Sequence, residues 1–311
     1  MVIVRKCAGL AVVLATVAAT AGCVPPTVPT CAEKVVRLTL SASKATAPST
    51  TQSATPNAAP HATPNVAGPS ASGPSADPEA VAEQVRRAAG EVAAIVFDRA
   101  EGRYLLAEQP DRQFQAASLV KLLIALDRLA SGQVDDLVAA RLRVMLSASD
   151  DAQANGLWVA GGGGAIVRRM AASLGLSATA PEADNLWGYS RISAQDVLTV
   201  YRHILERLPE ADRDLILSSL RAAPRIAADG FDQYFGIPDG LPGHPLAIKQ
   251  GWSSGQGVLA VHSTGLVGAG DRYIVVLMTE HRATVGWPAA MALATEAART
   301  LAPLLDQEPD G

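Results

Sequence analysis

A long stretch of proline, serine, threonine and alanine sets the limits on what this chain can fold into. From position 24 to 77, as in "TPNAAPHATPNVAGPSASGPS", large apolar residues are almost absent. Such a segment buries too little apolar surface to offset the entropy lost on ordering, so it is expected to form an extended, disordered tether. Its Ser/Thr/Pro content suits O-glycosylation, and His61 within it reads as a solvated histidine. The folded part is thereby confined to residues 78–311 of the 311-residue chain. The 49% hydrophobic content is enough for a large core there, even with the alanine-rich segments discounted. A formal net charge of −4 offers no basic surface for a nucleic acid.

Ahead of the tether the chain opens with the basic "MVIVRK", continues with the apolar "CAGLAVVLATVAA" and reaches "TAGC". The apolar run is too short to span a bilayer comfortably, and the order basic, apolar, small is that of a secretion signal over residues 1–22. "TAGC" resembles the bacterial lipobox, with Thr20 in place of the more usual leucine. That resemblance implies cleavage before Cys23, lipidation of Cys23 with palmitate-type chains, and anchoring on the extracytoplasmic face of the cell membrane. Two or more acyl chains anchor a protein stably without a spanning helix. An ordinary signal peptide cut near Ala21 is the alternative. Of the three cysteines, Cys7 leaves with the signal and Cys31 is left single, so neither a disulfide framework nor a Cys/His metal site is expected. No cofactor is implied.

Within the folded part, "PEAVAEQVRRAAG" places Ala and Val at helical spacing, with Gly90 as the stop. "EVAAIVFDR" and "GRYLLAE" predict a hairpin. Helices are predicted over 118–129, through "DDLVAARLRVMLSAS", and over 152–160, 165–174, 193–207 and 212–220. "PLAIKQG", "GVLAVHSTGLVG" and "RYIVVLMTE" predict three further strands, closed by a helix over 288–305. The sum is an α+β domain: an antiparallel sheet of roughly five strands flanked by helices. The run Gly161 to Gly164 lacks the Lys-Ser/Thr of a phosphate loop and reads as a flexible helix connection.

After the tether the chain contains two lysines, Lys121 and Lys249, and otherwise places its positive charge on arginine. Arginine cannot act as a base, whereas a desolvated lysine can. In "AASLVKLLI" Lys121 follows Ser118 by one helical turn, so amine and hydroxyl share a face. A lysine among apolar neighbours must find a partner or lose its proton. The pairing is the one a serine nucleophile uses when no histidine assists, although Ser-x-x-Lys also arises from ordinary helix capping.

Two further stretches, "MLSASDDAQAN" and "AIKQGWSSG", give the first one a context. Taken with it, in this order, they resemble the S-x-x-K, S-D-N and K-T-G motifs of the class A β-lactamase and penicillin-binding protein superfamily. The run-in "VAAIVFDRAEGRYLLAEQPDRQFQAAS" also looks like that family's opening hairpin, and the resemblance extends over residues 92–305. It implies a β-lactamase-like fold with Ser118 as nucleophile and Lys121 as its general base. Ser149 would relay a proton to the leaving nitrogen, and Lys249 would polarise Ser149 and attract a substrate carboxylate. The backbone N–H groups of Ser118 and Trp252 would form the oxyanion hole. Asp151, Gln250, Gly251 and Trp252 would contact substrate, and Asp150 would be structural.

The sequence departs from the family pattern in four places. Asp151 stands where an amide is usual; its carboxylate can pair with Lys121 and hold it protonated. Gln250 replaces a hydroxyl residue. The span from Lys121 to Ser149 is short, which implies a reduced helical subdomain. The loop that carries the deacylating glutamate in class A enzymes is abbreviated to "LSATAPEADNLWGYSRI", whose one glutamate, Glu182, reads as a surface acid. Efficient penicillinase activity is therefore not expected.

A rival pattern, G-x-S-x-G at "GWSSG" with Asp271 and His281 downstream, has the order of an α/β-hydrolase triad. It requires a helix after the serine, and here a strand follows, so Ser253 reads as a turn residue. His203, His244 and His262 show no metal-ligand spacing. Two functions remain open: a lipid-anchored serine acyl hydrolase acting on D-alanyl peptides or related amides through acyl-Ser118, or a non-catalytic envelope lipoprotein using the same fold for binding or scaffolding. The partners implied are the membrane, and a peptidoglycan peptide or small amide substrate.

Overall fold

The strand "EVAAIVFD" is apolar on both faces, which demands cover on both. The computed structural model, describing residues 76–183 and 186–306, supplies that cover. In chain order the first elements are α1 (Pro78–Ala89), β1 (Glu91–Asp98), β2 (Arg103–Glu108), β3 (Gln113–Gln115), α2 (Val120–Ala130), α3 (Asp136–Ser147), α4 (Asp151–Ala160) and α5 (Gly164–Leu174). Then come β4 (Arg191–Ser193), α6 (Ala194–Glu206), α7 (Glu210–Arg221), α8 (Ile237–Gly240), β5 (Leu246–Gly255), β6 (Val258–Val267), β7 (Tyr273–Arg282), α9 (Trp287–Arg299) and α10 (Ala302–Leu305). The signal, Cys23, Cys31 and the tether lie outside the described residues, apart from its last two, Ala76 and Asp77, the latter capping α1.

Five strands form one antiparallel sheet in the order β2-β1-β7-β6-β5. Alternate residues of β1 serve different cores: Ala93, Ile95 and Phe97 pack with α2 and α6, while Val92, Ala94 and Val96 pack with α1 and α9. The sheet is thus sandwiched between helical layers, as the apolar runs of the strands predict. Placing β5 at the edge has a functional consequence, because an edge strand leaves alternate backbone groups free of ladder partners. That edge runs past the turn carrying Ser118.

Three details differ from the sequence-based expectation. A separate two-stranded sheet pairs β3 with β4, Phe114 opposite Ile192; three-residue strands carry no periodic signal. The last helix breaks between α9 and α10, since Pro303 has no N–H to offer the carbonyl of Arg299 one turn back. The glycine run is a tight connection rather than a loose one: Gly162 and Gly163 adopt φ of 87° and 64°, and Gly163 N–H donates to Trp158 O at 2.8 Å.

Candidate active site

Ser118 sits in a single 3-10 turn, Ala117–Leu119, that leads into α2. Ala117 holds φ at 46°, a left-handed conformation that costs an alanine about 1–2 kcal/mol. The surroundings fix it there. Ala116 N–H donates to Ser190 O at 2.6 Å, Leu119 N–H donates back to Ala116 O at 3.0 Å, and the β3/β4 pair clamps the approach. One turn into α2, the Lys121 side chain is fully buried and returns to the serine, with Nζ 2.7 Å from Ser118 Oγ.

Lys121 meets both conditions set by its burial. It has partners, donating to Ser149 O at 2.9 Å, Ser149 Oγ at 3.3 Å and Asp151 Oδ1 at 2.6 Å. Burial nevertheless lowers its pKa below the ordinary lysine value, with the Asp151 carboxylate pulling the other way. Ser149 occupies the junction of α3 and α4 with φ at 54°, and Asp150 caps α4 by accepting from Gln153 N–H at 2.9 Å. Asp150 is therefore structural, while Asp151 in the first turn reaches the lysine.

From the edge strand β5, the buried Lys249 Nζ donates to Ser149 Oγ at 2.8 Å and to Gln250 O at 2.9 Å. Its pKa is depressed well below that of a free lysine, by burial first and by the charge of Lys121 second. Ser118, Lys121, Ser149 and Lys249 thus form one continuous hydrogen-bonded chain, drawn from a turn, a helix, a helix junction and a strand. Two amines flank one hydroxyl, and the fourth group of the chain belongs to Ser118, which lines the cleft.

The other expected substrate contacts divide. Gln250 does not face the cleft: Nε2 donates to Gln233 O at 2.9 Å and Phe235 O at 2.7 Å, because strand alternation turns its side chain to the face opposite Lys249. Gly251 is a contact point between elements rather than a ligand contact. A Cβ there would meet Leu119 Cγ at 3.2 Å and Ala116 O at 3.4 Å, so its hydrogen lets β5 approach the Ser118 turn. Trp252 does line the cleft; its ring stacks on Phe231 at 4.9 Å and its Nε1 donates to Asp229 Oδ2 at 3.1 Å.

The cleft encloses about 630 Å³. Trp187, from the abbreviated loop, lies 4.6 Å from Lys121 Nζ and donates from Nε1 to Asn155 Oδ1 at 2.7 Å. Glu182 does not line the cleft and accepts from its neighbour Ala183 N–H. Sequence reasoning passed over Trp158, Trp187, Trp287 and Asp229. The available signal was tryptophan placed in or beside loops of a chain with only 4% aromatic residues.

The rival triad does not assemble. Ser253 lies on β5, Asp271 pairs with Arg221 at 2.6 Å, and His281 Nε2 lies 3.0 Å from Thr279 Oγ1. His262 is a structural core residue: Nδ1 accepts from Thr279 N–H at 3.2 Å, so Nε2 carries the proton and donates to Gln115 O at 2.7 Å. His203 belongs to the last turn of α6, and His244 lies 3.8 Å from Asp306.

Comparison with known proteins places this geometry. The chain is 37% identical to "Putative lipoprotein LppW" of Mycobacterium tuberculosis over 238 residues, which cover 71% of this chain and 74% of that one; the Mycobacterium bovis protein of the same name matches equally. Among solved structures, a β-lactamase from Chitinophaga pinensis superposes with a TM-score of 0.60 at 17% identity, covering 73% of this chain and 98% of its own. One from Desulfarculus baarsii gives 0.59 at 19%, covering 75% and 100%. At such identities the structures speak for the fold alone. The model of the β-lactamase enzyme family matches residues 133–305, more than half of the sequence. This chain belongs to the β-lactamase enzyme family.

Proposed function

We propose that the protein is a membrane-anchored envelope lipoprotein whose domain is a serine acyl hydrolase, acting on D-alanyl peptides or related amides through an acyl-Ser118 intermediate. The observation that carries the reading is the 2.7 Å contact between Lys121 Nζ and Ser118 Oγ inside a buried, hydrogen-bonded amine cluster. Neutral Lys121 takes the Ser118 proton as Oγ attacks the carbonyl carbon. The carbonyl oxygen becomes an oxyanion, held by the backbone N–H groups of Ser118 and of Trp252 on the edge strand. As the tetrahedral species collapses, the carbon–nitrogen bond breaks and the amine leaves with a proton passed through Ser149. Water then cleaves the ester and restores Ser118. The anchor is supported by "TAGC" at Cys23 and by the name of the mycobacterial relatives.

The second half of this cycle is the slow one. Asp151 and Asp229 are the only carboxylates lining the cleft among the described residues, and Asp151 is engaged with Lys121. An activated ester such as p-nitrophenyl acetate should release about one nitrophenolate per protein in a burst, followed by a much slower steady phase. Lys121→Ala should slow the burst by about 10²–10⁴-fold, and Ser118→Ala should abolish it. The same Asp151 contact favours a second reading, a binding or scaffolding protein with a locked lysine; absence of any burst at every pH from 6 to 10 would support it.

A further inference from the structure

The chain has four tryptophans, and all four, Trp158, Trp187, Trp252 and Trp287, line the cleft above Ser118. Among the described lining residues the charged side chains are Asp151 and Asp229, both acidic. The two lysines lie beneath the floor, 0% and 1% exposed, with their amines directed at Ser149. Gln250, expected to help hold a carboxylate, is turned away. Among the described residues, no cationic side chain therefore lines the cleft surface.

The converse is well provided for. Trp252 is held between its Phe231 stacking partner, 4.9 Å away at 8°, and its hydrogen bond to Asp229, so an indole ring and a carboxylate form a fixed pair. Asp229 Oδ1 is oriented in turn by Phe231 N–H at 3.0 Å. Indole faces attract cations and disfavour anions, and the solvent-exposed Asp229 carboxylate beside them adds a salt-sensitive attraction in the same sense. Trp187 already uses its face in this way toward Lys121. We propose that the cleft favours a ligand with an apolar body and an ammonium or quaternary ammonium group, so that within the proposed class of acyl donors it prefers amides or esters carrying such a cation over peptides with a free carboxylate.

As a substrate class this rests on the acyl-transfer role of Ser118; as a binding preference it stands without it. Because every tryptophan lies on this cleft, intrinsic fluorescence reports its occupancy directly. Full-length protein is titrated with benzyltrimethylammonium and, separately, with phenylacetate, neither of which has a bond to cleave. The cation should give a saturable change, with phenylacetate binding at least tenfold more weakly. Asp229→Asn keeps an acceptor for Phe231 N–H while removing the charge, and should weaken the cation three- to tenfold. Raising salt should weaken the wild-type complex and leave the variant largely unchanged. Phenylacetate binding as tightly as the cation, no saturable response to the cation, or an unchanged affinity in Asp229→Asn would each overturn the proposal. An inert Ser118 in the burst assay would instead leave this preference intact and remove only the acyl-transfer role.

Discussion

At the scale of single residues, Asp151 sets the working pH of the site. Its carboxylate lies 2.6 Å from Lys121 and favours the ammonium, while the base must be neutral. Acylation of Ser118 should therefore rise with pH as Lys121 loses its proton, with a midpoint below that of a free lysine. Asp151→Asn removes the charge that opposes the effect of burial, so the midpoint should move to lower pH and the rate at neutral pH should rise severalfold. A pH profile of the acylation rate for both proteins checks this; a midpoint that moves upward, or stays fixed, contradicts it. Within the amine and hydroxyl cluster, Ser118 and Lys121 were legible from their one-turn spacing, whereas Ser149 and Lys249 were legible through the resemblance of their stretches to the family's motifs. Gln250 was not, because its facing depends on the register of β5 against β6 and on where residues 233–235 pass. Asp229 was not legible for a similar reason: it reaches the cleft from a loop without periodicity.

Among elements, the joint between β5 and the Ser118 turn is the tightest constraint. Gly251→Ala places a Cβ at 3.2 to 3.4 Å from Leu119, Ala116 and Ala117. Accommodating it should cost about 1–2 kcal/mol in urea unfolding and displace Ser118 enough to slow acylation. Full stability with an unchanged rate would show that the joint yields freely. A second joint runs through His262, which ties β6 and β7 to the segment before the nucleophile. Burial lowers its pKa to about 4, so below pH 6.5 the unfolded chain takes up a proton that the folded protein refuses. Stability should be complete above pH 6.5 and fall by about 3 kcal/mol as the pH drops to 4. His281, also depressed by burial, adds in the same direction. Urea midpoints measured across this range check the slope, which should flatten in His262→Gln. The long elements were legible because the helices repeat their apolar residues every 3.6 positions, while the central strands are short, nearly continuous apolar runs bounded by turns. The β3/β4 pair was not, although it supports the nucleophile, because its stability is tertiary.

For the molecule as a whole, one β-lactamase-type domain combines a hydrogen-bonded Ser118, Lys121, Ser149 and Lys249 cluster with a cleft lined by tryptophan. The fold was readable from motif order and from strands apolar on both faces. The character of the cleft was not, because its tryptophans come from four separate stretches of chain that only the fold brings together. Among the described residues the two carboxylates of the cleft are engaged, Asp151 with Lys121 and Asp229 with Trp252, which predicts an acyl-enzyme that forms faster than it decays. Intact-mass measurement should show a penicillin hydrolysed poorly or not at all, since the charged side chains lining the cleft among the described residues are both carboxylates.

The most direct measurement is peptide mass mapping of full-length protein after exposure to an uncharged fluorophosphonate, in which Ser118 Oγ displaces fluoride from phosphorus. One stoichiometric adduct is expected on the peptide containing Ser118, lost in Ser118→Ala and slowed in Lys121→Ala. Unmodified protein, or an adduct carried by another serine, would contradict it.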